Sequence, residues 1–235
     1  MASPPDLAVS VIIPTLDEAA ELPTTLDSID AALGPSVQVV VADGGSKDRT
    51  AELARRRAEV VTSGPGRGRQ LNAGARSASG DVYLFLHADT RLDPGTGKAL
   101  AAALAEPDVV GGCFEVQLRG PSAARTIARY LAAAINRRSR VFKTATGDQA
   151  IFARRIAFEQ VGGFPNADLF EDVLFYRKLK RLGRTVVLRP AVRISDRRWR
   201  RLGYRRTIAK HLSLRLLFLM GVSPATLARF YRRVR

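Results

Sequence analysis

Residues 37–50 read VQVVVADGGSKDRT. Val37–Ala42 is a valine-rich run, apolar on alternate and intervening positions alike, which is the pattern of a parallel strand covered on both faces. It ends in Asp43, turns through Gly44, Gly45 and Ser46, and enters a helix expected over Asp48–Arg57 with Asp48 as its N-cap. A strand that closes on a carboxylate and feeds a helix is the repeating unit of an open α/β sheet, whose ligands bind at the carboxyl ends of the strands.

The unit recurs to either side. Val9–Pro14 reads as a strand running into Thr15, Asp17 and Glu18, with a helix near Glu18–Leu33. Glu59–Thr62 precedes a helix at Arg69–Ser77, and the strand Val82–His87 is followed by Ala88 and Asp89. The alternation predicts an α/β fold class: a right-handed, mostly parallel open sheet flanked by helices. Further on, Val109–Leu118 reads as a strand and Ala123–Arg138 as a helix with apolar positions Ile127, Leu131 and Ile135. A short strand at Gln149–Ala153, a helix at Glu171–Leu182 and a last strand at Thr185–Leu188 follow. Two helices, Tyr204–Met220 and Pro224–Arg233, close the reading, with Gly221 as the stop between them.

The chain has 235 residues, 46% apolar and 26% charged, a balance that excludes a disordered or collagen-like polymer. One cysteine, Cys113, excludes a disulfide framework and a multi-cysteine zinc site. No apolar run approaches the ~18 residues that span a bilayer. The opening MASPPDL has neither the basic nor the apolar region of a secretory signal, so a cytoplasmic location is expected.

Charge is unevenly spread. Residues 1–118 hold 10 basic and 16 acidic side chains, residues 119–235 hold 28 and 6, and after Asp172 there are 19 Lys and Arg against Asp196 alone. Such a segment suits an anionic partner. The helix around Tyr204–Met220 sets Arg205, Arg206, Lys210 and Arg215 beside several leucines. It is too short to cross a membrane and suited either to a lipid interface or to packing, with burial of its apolar face the favoured expectation.

Three strand ends carry acids toward one rim: Asp43, then His87 and Asp89, then Asp17 and Glu18. Gathered carboxylates repel unless a cation offsets them, and a hard divalent cation shared with a diphosphate is the natural resolution. Gly64–Gly74, GPGRGRQLNAG, supplies Arg67 and Arg69 just before a helix, where guanidinium and backbone N–H groups meet phosphate. It lacks the Gly-Lys-Ser/Thr ending of a Walker loop. Gly147-Asp148-Gln149 and Phe170-Glu171-Asp172 are the polar islands of the second half. The acid pair reads either as a helix-dipole partner or as a general base. His211 reads as packing.

In this order, VSVIIPTLDEAAEL, VVVADGGSKDRT, GRGRQLNAGARSASGD and YLFLHADT resemble the nucleotide-sugar-binding half of family 2 glycosyltransferases. GGF followed by FEDVLFYRKLKRLG is similar to their acceptor-side signature. The resemblance covers Val9–Leu188 and implies the GT-A fold, Rossmann-like, with a transferase domain over 1–190 and a basic helical extension over 191–235. The tail, SDRRWRRLGYRRT through GVSPATLARFY, resembles a subgroup of arsenosugar-biosynthesis or selenodomain-associated transferases. The resemblance implies that Asp43 contacts the nucleoside with Thr15 and Glu18, that Arg67 and Arg69 lie by the diphosphate, and that Asn72 and Asp148 join the substrate-binding set. Asp172, paired with Glu171, becomes the base of an inverting displacement onto an acceptor hydroxyl. Asp89 becomes the metal ligand of a D-x-D motif, with His87 where the first Asp is usual. That substitution favours Mn²⁺ over Mg²⁺ as the cation.

The implied partners are a nucleotide-sugar donor and an anionic or lipid-linked acceptor, with peripheral membrane contact, no nucleic acid, and an oligomer left open. On the residues alone, a nucleotidyltransferase or a nucleic-acid-binding module using the basic half stands as the alternative. The first leaves Phe170–Asp172 without a purpose, and the second lacks a zinc pattern or recognition helix.

Overall fold

The protein is described as a computed structural model covering residues 7–119 and 125–231. The expected helix start at Ala123 and helix end at Arg233 lie outside those residues. Strand β1 (Val9–Thr15), helix α1 (Leu22–Leu33), β2 (Gln38–Asp43), α2 (Thr50–Ala54), β3 (Glu59–Thr62), α3 (Arg67–Ser77) and β4 (Val82–Phe85) follow the expected alternation. β5 (Thr90–Arg91), α4 (Thr96–Leu104), β6 (Val109–Arg119), α5 (Arg125–Phe142), β7 (Ile151–Arg154), α6 (Arg155–Gln160), α7 (Glu171–Leu179) and β8 (Arg184–Ser195) complete the sheet and its cover. The tail carries α8 (Arg197–Leu202), α9 (Tyr204–Leu219) and α10 (Pro224–Phe230).

The eight strands form one sheet in the order β3-β2-β1-β4-β7-β6-β8-β5. β3, β2, β1 and β4 are parallel, so their carboxyl ends share one edge. β7 runs antiparallel between β4 and β6, while β6 and β8 are parallel to each other. The sheet is therefore mixed and mostly parallel, as expected.

Strand alternation divides the core. Val11 and Ile13, Val39 and Val41, and Val82 and Leu84 face one way, toward Leu22, Leu26 and Ile29 of α1 and Leu100 and Leu104 of α4. Ile12, Val40, Tyr83 and Phe85 face the other way, toward Leu71 of α3 and Phe175, Tyr176 and Leu179 of α7. Both faces of the strands are buried, which is why their sequences are continuous apolar runs rather than alternating ones. Gly74 of α3 lies so close to β1 that a Cβ there would stand 2.6 Å from Ile12 Cγ2.

Five differences from expectation stand out. Helix α4 was not foreseen, its alanine-rich face giving a weak pattern. The last strand runs on past Leu188 to Ser195. Asp48 lies one residue before the N-cap of α2 and accepts from Thr50 N at 2.9 Å. The apolar face of α9 is largely open: Thr207 and Leu214 are its buried residues, whereas Leu212 is 63% and Leu219 64% exposed. Burial of that face against the rest of this chain is thus corrected, while burial against a second subunit stands as an expectation. On α5, Ala128 and Ala132 are buried and Ile127 is exposed, because the inward stripe runs along the small residues.

Candidate active site

β1 and β2 end side by side, with Thr15 opposite Asp43 in the parallel register. Thr15 Oγ1 donates to Asp43 Oδ1 at 3.1 Å, and the N–H groups of Gly45 and Ser46 donate to Oδ2 at 3.1 and 2.9 Å. The turn thus wraps its own carboxylate, as an Asx turn does. From α3, buried Gln70 donates through Nε2 to the carbonyls of Thr15 at 2.7 Å and Ala42 at 2.9 Å, pinning both strand ends. Ser46 and Gln70 were missed in the sequence. An Asp followed three residues later by Ser is a usable turn signal, whereas nothing local marks Gln70.

Glu18 lies at the same edge, its N–H donating to Thr50 Oγ1 at 2.8 Å. Its carboxylate pairs with Arg197 of α8 at 3.0 Å. Burial and the neighbouring charge of Asp89 raise the Glu18 pKa against the pull of Arg197. Asp89 therefore acts electrostatically on both Glu18 and Arg197. Arg197 was not foreseen as part of the rim, since it stands 179 positions from Glu18.

The second acid site is built on the N-terminus of α7. Glu171 and Asp172 are both buried in its first turn, following Phe170, which adopts a left-handed φ of 63°. Arg67, at the start of α3, donates to Glu171 Oε1 at 3.1 Å. Gly147, in the 3-10 turn Gly147–Gln149, donates its N–H to Asp172 Oδ2 at 2.6 Å. Burial and the charge of Glu171 push Asp172 up to about 6, while Arg67 and the Gly147 N–H restrain the rise. For Arg67, burial opposes the charged form, but Glu171 and Asp172 hold its guanidinium above the usual value. A carboxylate ionised at neutral pH yet poised near it suits a general base.

His87 belongs to this second cluster. A Cβ on Gly147 would stand 2.7 Å from His87 Nε2 and 3.4 Å from Asp172 Oδ2. Asp148 accepts from Thr146 Oγ1 at 2.6 Å, and its charge acts on Arg138 of α5. One turn of α3 links the two clusters, with Arg67 reaching Glu171 and Gln70 reaching Thr15 and Ala42.

Two expected residues are oriented differently from the rest. Asn72 spends its amide on the backbone of Phe164, donating to its carbonyl at 2.8 Å and accepting from its N–H at 2.9 Å. Arg69 diverges from Arg67 and lines a separate groove with Thr62, Ser63 and Gly64 at the end of β3. For a metal, no group of three or more His, Cys, Asp or Glu side chains is gathered among the described residues. Asp89 with Glu18 nearby offers the one or two carboxylates that a hard cation takes when phosphate oxygens complete its shell. That donor set fits such a cation, whereas His87 is drawn toward Gly147.

The sequence pattern of the family described as Glycosyl transferase family 2 matches residues 10–162. An undecaprenyl-phosphate 4-deoxy-4-formamido-L-arabinose transferase of Pseudomonas aeruginosa (strain PAO1) is 34% identical over 116 residues, covering 44% of this chain and 34% of that protein. An uncharacterized glycosyltransferase of Mycobacterium tuberculosis (strain H37Rv) is 34% identical over 99 residues, covering 41% and 44%. The chain thus spans about a third of the first of these relatives and under half of the second. Among solved structures, TarS 1–349 of S. aureus in complex with UDP-GlcNAc superposes with a TM-score of 0.63 at 23% identity, over 80% of this chain and 58% of that one. The mannosyltransferase PcManGT of Pyrobaculum calidifontis, in complex with GDP-Man and Mn²⁺, gives 0.58 at 24% identity over 80% and 56%. At these identities the likeness concerns the fold, and it is the GT-A arrangement that the sheet order displays. With more than half of its length matched by the family pattern, the chain belongs to glycosyl transferase family 2.

Proposed function

We propose that the protein transfers a sugar from a nucleoside-diphosphate donor to an acceptor hydroxyl, with inversion at the anomeric carbon. The observation that carries the reading is the state of Asp172: a buried carboxylate at the rim, beside Arg67 and the Gly147 turn, with its pKa pushed up to about 6. Asp43, held by Thr15, Gly45 and Ser46, is the contact for the nucleoside, and Arg69 lies on that side of the rim. Arg67 and Arg197 are the cations nearest to where diphosphate charge develops on departure. Asp172 takes the acceptor proton as the oxygen attacks, and Glu171 holds Arg67 in place. Asp89, with Glu18 close by, would hold a divalent cation, Mn²⁺ or Mg²⁺, whose chemistry is to neutralise the leaving diphosphate. The Mn²⁺ complex of the mannosyltransferase supports this cation.

A lipid-linked acceptor and peripheral contact with a membrane face complete the proposal. The likeness to the undecaprenyl-phosphate arabinose transferase supports the first. Exposed Leu212, Leu216, Leu219, Met220 and Phe230 among many arginines support the second. No helix among the described residues is long and apolar enough to cross a membrane. The tail sequence supports the arsenosugar or selenodomain-associated subgroup. The test is thermal shift and hydrolysis across UDP-, GDP- and dTDP-sugars and nucleoside triphosphates, with Mn²⁺. One nucleotide sugar is expected to stabilise the protein saturably and to be slowly hydrolysed. Preference for triphosphates defeats the reading.

A further inference from the structure

Helices α5, α7 and α9 enclose a cleft of about 270 Å³ beside Asp172. Arg138, Lys143, Arg177, Lys180 and Arg215 stand on its walls, and Phe142, Phe170, Phe218 and Leu219 contribute its apolar lining. The two rings are stacked at 4.6 Å, and the Arg177 guanidinium lies 5.6 Å from the Phe218 ring centre. None of these five cations forms an ion pair with a carboxylate among the described residues, though twelve other arginines do. Arg138 is half-buried, and its Nε has no hydrogen-bond partner among the described residues. Burial and the charges of Arg138 and Arg177 bring Arg215 down to about 10. Asp172 is the carboxylate felt by both Arg138 and Arg215.

Arg138 and Arg215, both half-buried, and exposed Arg177 beside them carry like charges that repel one another until an anion enters. Their forked donors match the oxygens of a phosphate better than a single carboxylate, which pairs with one fork. The apolar part of the lining includes exposed Phe142 and Leu219, and exposed Met220 follows Leu219 in the chain. A free anion leaves that wall wet. A phosphate carried on an apolar chain satisfies both halves at once.

We propose that this cleft is a phosphate subsite for the acceptor, in which Arg138, Arg177 and Arg215 hold the phosphate end of an amphiphile whose chain leaves over Phe218 and Leu219. The identification of that ligand as the acceptor rests on the transferase reading, and its binding does not. The three arginines are positioning residues: they set where the acceptor stands relative to Asp172.

Calorimetry on the full chain tests this with octyl phosphate, octyl glucoside and inorganic phosphate as probes. Octyl phosphate is expected to bind saturably at one site, and to lose about tenfold or more in affinity in Arg177→Glu and in Arg215→Ala. Inorganic phosphate is expected to bind more weakly, and octyl glucoside not to saturate. The exposed position of Arg177 makes its variant the safer one to fold, and unchanged UDP binding by each variant verifies the donor half. Octyl phosphate binding that is unaltered by both substitutions overturns the subsite. Inorganic phosphate binding as tightly as octyl phosphate overturns the amphiphile. Octyl phosphate binding lost in both variants, in a protein that binds no nucleotide at all, upholds the cleft and defeats the transferase reading separately.

Discussion

The backbone N–H of Gly147 donates to Asp172 Oδ2 at 2.6 Å, across 25 residues of chain, and so fixes the carboxylate of α7 to the turn that precedes β7. Asp172 Oδ1 accepts from the N–H of Val173 at 2.6 Å. Each oxygen is thereby oriented by one backbone donor and keeps lone-pair capacity for an incoming proton. The group is held in place by atoms that side-chain substitution elsewhere does not remove.

Replacing Asp172 by Asn keeps the shape and removes the proposed proton acceptor. Transfer is expected to fall by roughly 10²–10⁴-fold, the usual contribution of a positioned base, while UDP affinity stays within about threefold. In the wild type, kcat/KM should rise as pH passes through about 6, because the base works only when ionised. A pH–rate profile with no acidic limb near that value assigns the base elsewhere.

The same substitution has a stability signature with a defined sign. Asp172 is raised from 3.8 to about 6 in the fold, so folding binds a proton in that window. Its stabilising contribution is complete below pH 3.8 and is lost as pH rises through about 6. Asp172→Asn escapes that loss. Its melting temperature relative to wild type should therefore be more favourable at pH 8 than at pH 4.5, by the equivalent of roughly 1–3 kcal/mol. Thermal unfolding at the two pH values measures the difference directly.

Gly147→Ala probes the contact from the other side. The added Cβ would stand 2.7 Å from His87 Nε2 and 3.4 Å from Asp172 Oδ2, so the turn or the imidazole must move. Weakening the N–H donation to the carboxylate removes one of the forces that restrain its pKa. Turnover is expected to drop about tenfold and the acidic limb of the pH profile to move upward. With Asp43 as the proposed nucleoside contact, nucleotide affinity should hold, as equilibrium titration with UDP would record.

Much of this was legible in the sequence for one reason: the carboxyl ends of parallel strands are local features. Asp43 and Asp89 follow apolar runs that announce their strands, and the parallel order then puts both on one edge. The pairing of Arg67 with Glu171 spans 104 residues, and that of Arg197 with Glu18 spans 179, so neither is written in any window. Asn72 shows the opposite failure. It lies in a loop-to-helix segment that reads as ligand-binding, yet its amide clamps Phe164 because the segment after α6 needs an anchor on α3. The extent of β8 was underestimated because Pro190 looks like a strand end, and the open face of α9 was misjudged because leucines usually signal burial.

Gly74 tests the fold rather than the site. With a Cβ placed 2.6 Å from Ile12 Cγ2, Gly74→Ala forces α3 away from β1. Because α3 carries both Gln70 and Arg67, displacement also loosens the strand-end carbonyls and the Glu171 pair. A loss of about 1–3 kcal/mol in urea denaturation is expected, the ordinary cost of overpacking. Stability equal to wild type would mean that α3 yields without strain.

Asp89→Ala separates the cation from the rest of the rim. Asp89 raises the pKa of Glu18 and supports the charge of Arg197, whereas the Glu18–Arg197 pair itself is formed at 3.0 Å without it. Removing Asp89 relieves repulsion on Glu18, so the pair and the seat of α8 should survive and the melting temperature should change by less than about 2–4 °C. What disappears is the carboxylate proposed to share a divalent cation with the donor diphosphate. UDP titrated with and without Mn²⁺ should show a cation-dependent gain in affinity for the wild type and none for Asp89→Ala. The same gain in both proteins would move the cation off Asp89 and leave Arg67 and Arg197 to carry the leaving charge alone.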